Sequence, residues 1–411
     1  MYILPKNLSK YLITNLEDVY NRQIILRLCI NVTFNREGLI EDTTRLENSI
    51  NLLEELTQKS RSIVVLGHIG RPDPKNPDPR LSVRHILYYY ENYFKDKNIK
   101  IEFLKDLSSE SIERVNENAQ SPEKVIFFLE NTRFFEGEES QNEKIRNQFV
   151  EKLLQLGDTY VNDSFPDYRI SVSTYYLPQS INQKYIGTSF FREITELSKL
   201  QNPQREFVVV IGGAKLSEKT EVISYLVHHA DKILIGGAMA YTFLKAKGVN
   251  IGLSKYEEDK IELAKALLDQ FEDKIIPPID HVCISDIQSF EKVSTTDSIQ
   301  IEDYNIGVDI GPKSIELFKA NLQKAKTIFW NGPLGIFEKD SSKIGTFEIA
   351  KHISNLNAYK VIGGGETLTV INSLGMQNKF DFVSTGGGAS LAFIGDREFP
   401  TLDVILENKD E

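Results

Sequence analysis

The chain has 411 residues, 41% of them apolar, enough for two to three domains with substantial cores. A formal net charge of −11 argues against non-specific nucleic-acid or membrane-surface binding, so any anion site must be local. The N-terminal MYILPKNLSK has no apolar signal-peptide core, the glycine-broken stretch 233–244 is too short to cross a bilayer, and Cys29 and Cys283 lie outside any Cys-x-x-Cys or Cys/His cluster. The expectation is a soluble protein of the reducing cytoplasm, with neither disulfides nor zinc.

Short Val/Ile-rich runs at 24–30, 63–66 and 125–129 predict buried strands alternating with helices, the βαβ order of a parallel sheet. The loops of this half carry cations: Arg45, His68 and Arg71 in GHIGRP, Arg133 in LENTRF and Arg169 in NDSFPDYR. Taken singly, His68 reads as a structural histidine and each arginine as a surface ion pair, with EGEES at 136–140 offering partners. As a set they point to a small ligand rich in oxyanions, because guanidinium matches carboxylate and phosphate through two parallel donors.

Further along, Phe191, Ile194, Leu197 and Leu200 recur every three residues before Asn202-Pro203, which predicts a connecting helix over 188–202. Strands are expected at 208–211, 233–235, 327–330 and 360–362, and a helix at 257–271. Only six of the 25 glycines fall in the first 200 residues. The rest concentrate where strands turn into helices: VVVIGGAK (208–215), ILIGGAMA (233–240), TIFWNGPLGIFE (327–338), KVIGGGET (360–367) and VSTGGGAS (383–390).

One Gly-Gly after a strand is ordinarily a tight turn, but this recurrence fits backbone N–H groups and helix N-termini meeting phosphates. Lys215 and Lys219, four apart, are expected on one face of a helix beginning near Ser217. Glu366 and Thr367 open a helix that stops before Gly375, where an acid suits Mg²⁺ beside phosphates. Neither the Walker spacing nor strand-Gly-x-Gly-x-x-Gly-helix is present, which disfavours P-loop ATPases and dinucleotide dehydrogenases.

In order along the chain, LRLCINVTF, IEDTTRL, GHIGRP, LENTRF, YVNDSF, GGAKLSEK, GGAMAYTFL, WNGPLGIFE, GGGET and STGGGAS resemble the motifs of the phosphoglycerate kinases over nearly the whole length. The resemblance implies an α/β fold of two Rossmann-like three-layer lobes with parallel sheets joined by a helix and hinge. It places a 3-phosphoglycerate lobe at 1–186, the hinge at 187–203 and a nucleotide lobe at 204–390, with 391–411 packing back on the first. It implies a glycolytic enzyme that closes about its hinge and moves a phosphoryl group reversibly between 1,3-bisphosphoglycerate and ADP, giving 3-phosphoglycerate and ATP. Mg²⁺ would be required, and the protein would be a monomer with no nucleic-acid or membrane partner.

Carried over by position, the resemblance assigns Arg45 to the transferring phosphoryl group, and Cys29, Asn31, His68, Gly70, Arg71, Arg133 and Arg169 to the substrate. It gives Lys215 and Lys219 to the nucleotide phosphates, Gly212, Gly213 and Gly237 to the region of the base, Asn331 and Pro333 to the nucleotide's length, and Glu338 to the ribose. Gly364 and Gly365 join that loop set, Glu366 would hold the metal, Thr367 would touch a phosphate, and Gly386 and Gly387 would donate N–H groups to the moving phosphoryl.

The chain departs from the pattern at RLCINVT, where Cys29 stands for an aspartate assigned to the substrate hydroxyl. A thiol is a weak acceptor, and one lost hydrogen bond costs about 1–3 kcal/mol, so weakened but not abolished substrate binding is expected. DSFPDYR is one residue short of the family pattern, Ala238 replaces a glycine, and Glu366 replaces an aspartate. These changes motivate two rival readings, a catalytically silent nucleotide-binding relative and a kinase for a different small carboxylate.

Overall fold

The structure is a computed structural model and describes residues 4–5, 7–13, 19–290, 292–395 and 397–407. Strands Gln23–Leu28 (β1), Ser62–Leu66 (β2), Ile99–Leu104 (β3), Lys124–Leu129 (β4), Thr159–Asp163 (β5) and Gln183–Ile186 (β6) form a parallel sheet ordered β3-β4-β2-β1-β5-β6. β2 and β5 are buried at every position and β1 at all but its first, as expected where helices cover both faces of a sheet; β2 reads as a nearly unbroken apolar run, whereas β1 buries Arg27 and β5 buries Asn162 and Asp163. The helix Thr44–Lys59 supplies part of that cover by burying Leu46, Ile50, Leu53 and Leu56, a stripe at helical spacing. Because the strands are parallel, the segments 29–31, 67–71, 130–133 and 164–169 all leave from the same edge of the sheet.

The second sheet begins with Phe207–Ile211 (β7), Lys232–Ile235 (β8) and Ile275–Ile276 (β9). A small antiparallel sheet of His281–Ile284 (β10), Ser294–Thr295 (β11) and Ile306–Ile310 (β12) interrupts it. Thr327–Asn331 (β13), Tyr359–Gly363 (β14) and Phe382–Ser384 (β15) complete the parallel order β15-β14-β13-β7-β8-β9. Trp330, fully buried on central β13, donates from Nε1 to Gly332 O at 2.8 Å, which ties the aromatic end of the strand to its own turn.

The described residues fall into two compact units: one runs through Ile194 and is completed from Glu398 on, and Thr195–Arg397 makes the other. The division lies within the helix Thr188–Ser198. Its buried positions include Phe190, Ile194 and Leu197, so Phe190 takes the place in the apolar stripe expected for half-buried Phe191. In the first unit the closing helix Pro400–Leu406 buries Leu402, Val404 and Ile405, and the preceding Phe399 stacks on Phe165 and Tyr168 with ring centroids 5.2 and 5.5 Å apart. Among the described residues no helix is long and apolar enough to cross a membrane.

Candidate active site

In the first unit the loops at the carboxyl edge of the sheet form a connected cluster. Asn31 accepts from Gly70 N at its Oδ1 (2.9 Å) and from Arg45 Nη1 at its backbone carbonyl. Gly70, whose φ of +65° favours a residue without a side chain, accepts from Arg133 Nη1 at 2.7 Å. Arg133 also pairs with exposed Glu139 at 2.8 Å, as EGEES allowed. Arg71 and Arg169 are exposed, and among the described residues neither they nor Arg45 lie within ion-pair distance of an acid. Three uncompensated guanidinium groups on one edge of a net-acidic chain are the strongest local mark of an anion site.

Beneath them lies a network that the motif-by-motif sequence reading missed. Arg27, 1% exposed on β1, donates to Ser173 Oγ (3.1 Å) and to Leu28 O (2.6 Å), pairs with Asp167 (2.8 Å) and meets His68 Nδ1 at 2.9 Å. Buried Glu138 fixes Ser173 in turn, accepting from its N–H at 3.0 Å and its hydroxyl at 2.5 Å. A charged residue inside a run as apolar as IILRLCI was the available signal, because an arginine there must be paired or serve a site.

Burial pushes the His68 imidazole down to about 4, with Arg27, Arg133 and Arg45 acting in the same direction against Asp167, so it is neutral near pH 7. The Cys29 thiol is pushed up to about 11, again chiefly by burial, and is neither thiolate nor strong acceptor. Burial also works against the charge of Asp167, but Arg27 foremost, together with His68, the Ser164 hydroxyl and Arg133, holds the carboxyl below its ordinary value.

In the second unit the Asn331-Gly332-Pro333 turn is a hub. Gly212 N donates to Asn331 O at 3.0 Å, Gly213 N to Pro333 O at 2.9 Å and Gly237 N to Leu334 O at 2.8 Å. A Cβ on Gly212 would lie 2.1 Å from Pro333 O, so that glycine is demanded by loop-on-loop packing whether or not a ligand is present. At Gly365 and Gly387 a Cβ would meet nothing within 4 Å, which is room that backbone packing leaves open. Lys219 Nζ donates to Gly212 O and to Asn331 O (3.0 Å), joining the β7 and β13 turns.

Several expectations change here. Lys215 and Lys219 do not share a helix face: the helix is Thr220–His229, Lys219 is its N-cap, and exposed Lys215 lies 3.6 Å from Glu218. The helix starts late because Leu216 is buried in the preceding turn and Ser217 is held by Glu257 through its N–H (3.0 Å) and hydroxyl (2.5 Å). Thr367 is fully buried and its hydroxyl oxygen accepts from Gly332 N at 2.7 Å, so it pins the turn. Gly386 N is engaged by Ser384 Oγ at 3.2 Å, which leaves Gly387, at the head of the helix Gly388–Ile394, as the more open donor of that pair. Gly364 caps the helix Gly365–Ser373 with φ +91°, exposed Glu366 stands in its first turn within electrostatic reach of Lys219, and Glu338 is exposed after the β13 turn.

Comparison with known proteins gives a family for the whole chain. The sequence profile of phosphoglycerate kinase matches residues 13–397. The chain is 36% identical to the phosphoglycerate kinase of Aquifex aeolicus, with 96% of this chain and 97% of that one covered. It is 37% identical to that of Mesomycoplasma hyopneumoniae, with 95% and 96% covered. A solved structure of phosphoglycerate kinase from Coxiella burnetii superposes with a TM-score of 0.83 at 25% identity, covering 96% of this chain and 98% of that one. An arginine edge on one parallel sheet, a glycine-turn hub on another and a match over nearly the whole length lead to one conclusion: the chain belongs to the phosphoglycerate kinase family.

Proposed function

We propose that this chain, as a member of that family acting in glycolysis, interconverts 1,3-bisphosphoglycerate plus ADP with 3-phosphoglycerate plus ATP through the residues described above. The observation that carries the assignment is the separation of ligand types: Arg45, Arg71 and Arg169, without an acidic partner among the described residues, in one unit, and glycine-rich turns joined by Lys219 in the other. Asn31, His68, Gly70 and Arg133 would shape the acid's site, with Arg45 turned to the phosphoryl in transit. Lys219, Gly387 and the turns at 212–213, 237, 331–333 and 364–367 would hold the nucleotide, with Glu338 at its sugar and Lys215 at the rim.

Among the described residues no three His, Cys, Asp or Glu side chains cluster as a metal cage. A lone exposed carboxylate at a helix start fits instead a hard cation that arrives on polyphosphate and keeps most of its waters. Glu366 would hold that Mg²⁺, which when bound offsets phosphate charge.

In the direction of ATP use the nucleophile is a carboxylate, already ionised at neutral pH, so no general base is required. The buried neutral His68 is too weak a base to serve as one, consistent with catalysis by positioning and charge alone. Closure about the hinge at 187–203 would bring the two ligands together and exclude water, in a cytoplasmic monomer.

A coupled assay tests the reading directly. ATP-dependent consumption of 3-phosphoglycerate is expected from the purified chain. Nucleotide binding without consumption would support a silent relative, and turnover only with another small carboxylate would support a kinase of different selectivity.

A further inference from the structure

Besides exposed Glu139 on Arg133, one acid among the described residues pairs with the cationic cluster of the first unit. Asp167 lies on the loop after β5; its Oδ2 is 2.8 Å from Arg27 Nη2, accepts from Ser164 Oγ at 2.5 Å and stands 3.7 Å from His68 Nδ1. All three contacts fall on one oxygen, and among the described residues Oδ1 has no hydrogen-bond partner, while the side chain is 15% exposed. The loop is rigidly placed. Asp167 N closes a turn on Ser164 O at 3.1 Å, and the flanking Phe165 and Tyr168 both stack on Phe399. Rotamers and backbone locked in this way are what a positioned recognition group requires.

A carboxylate in an anion site repels its ligand unless it has a donor to meet. Neutralising Arg27 occupies one oxygen only. 3-Phosphoglycerate carries a phosphate, a carboxylate and a single donor, the C2 hydroxyl. Cys29, within electrostatic reach of Asp167, Arg27 and Arg45, presents a neutral thiol and cannot accept strongly from that hydroxyl. Asp167 is the ionised group of the same cluster that can.

We propose that Asp167 Oδ1 accepts the hydrogen bond of the substrate's C2 hydroxyl, taking over in this chain a recognition role that Cys29 cannot fill. Asp167 is then a substrate contact that sets selectivity for a hydroxy acid, supplied by the shortened DSFPDYR loop and not by β1. This deepens the functional reading above and rests on it.

The test is calorimetric binding of two acids to the full chain and to Asp167→Asn: 3-phosphoglycerate and 3-phosphonooxypropanoate, the same molecule without its hydroxyl. Wild type is expected to prefer the hydroxy acid on the order of 10- to 100-fold, and Asp167→Asn to reduce the preference to within about threefold. If Asp167 only steadies Arg27, both acids weaken in parallel and the preference survives, which overturns the proposal. An absence of preference in wild type also overturns it while leaving the kinase reading intact, whereas failure of wild type to bind either acid overturns both. A crystal structure of wild type with 3-phosphoglycerate needs no variant: the hydroxyl oxygen is expected about 2.6–3.0 Å from the Asp167 carboxylate, and its placement on another acceptor overturns the proposal.

Discussion

Replacing Arg45 with alanine is expected to lower kcat on the order of a thousandfold or more while leaving the melting temperature nearly unchanged. The second half of this prediction follows from where the residue sits. Arg45 is in the first turn of the helix Thr44–Lys59, where a cation opposes the helix dipole and alanine is a better helix former. It is half-exposed and has no acidic partner among the described residues, so the fold gains little from it beyond the hydrogen bond to Asn31 O. A guanidinium that the helix disfavours and no acid among the described residues neutralises is free to serve a ligand, and in the proposed role it would stabilise the charge developing on a transferring phosphoryl. Steady-state rates and thermal melts of the variant check both halves; a comparable kcat removes Arg45 from the chemistry.

The second large effect belongs to Lys219. Removing the ammonium as Lys219→Met is expected to cost about a hundred- to a thousandfold in kcat/KM for ATP, the scale of losing one preorganised electrostatic donor. It carries a pH signature as well. Burial pushes the Lys219 ammonium down to about 8, against the opposing pull of Glu366 and Glu218. Below pH 8 the group is charged in both folded and unfolded chains and its burial penalty is constant. From about pH 8 to the ordinary lysine value of 10.5 the unfolded chain binds the proton and the folded chain does not. This residue therefore makes the ligand-free fold gain stability as pH rises through that window. Polyphosphate favours the charged form, so the nucleotide's Kd should be flat below pH 8 and rise above it. Titration calorimetry of MgADP from pH 6.5 to about 9.5 should show that limb in wild type and lose it in Lys219→Met.

Which parts of this architecture could be seen in the primary sequence depends on how local the cause is. Strands buried on both faces, such as β2 and β13, announce themselves as SIVVL and TIFWN, because nothing on either side is wet. β3, IKIEFL, is a half-covered edge strand with Lys100 exposed, and it blends into its surroundings. The small sheet β10 to β12 was missed as a unit because β10 and β11 hold four residues or fewer and β10 also pairs past β11 with the later β12.

The same rule governs the site. Arginines and glycines at strand ends are visible because the loops carrying them are continuous in sequence. The Arg27–Ser173 and Glu138–Ser173 contacts join residues 146 and 35 apart, and only folding brings them together. Spacing misled at Lys215 and Lys219, since a four-residue interval places two side chains together only where the helix has already begun.

Hydrogen exchange with each ligand alone tests the division of labour most directly. 3-Phosphoglycerate by itself should slow amides in the loops 67–71, 130–133 and 164–169, and MgADP by itself those in 212–219, 331–338, 364–367 and 385–388. With both present, protection should extend to the helix Thr188–Ser198. Protection of one unit's loops by both ligands, or slowing of 67–71 by nucleotide alone, would contradict the account.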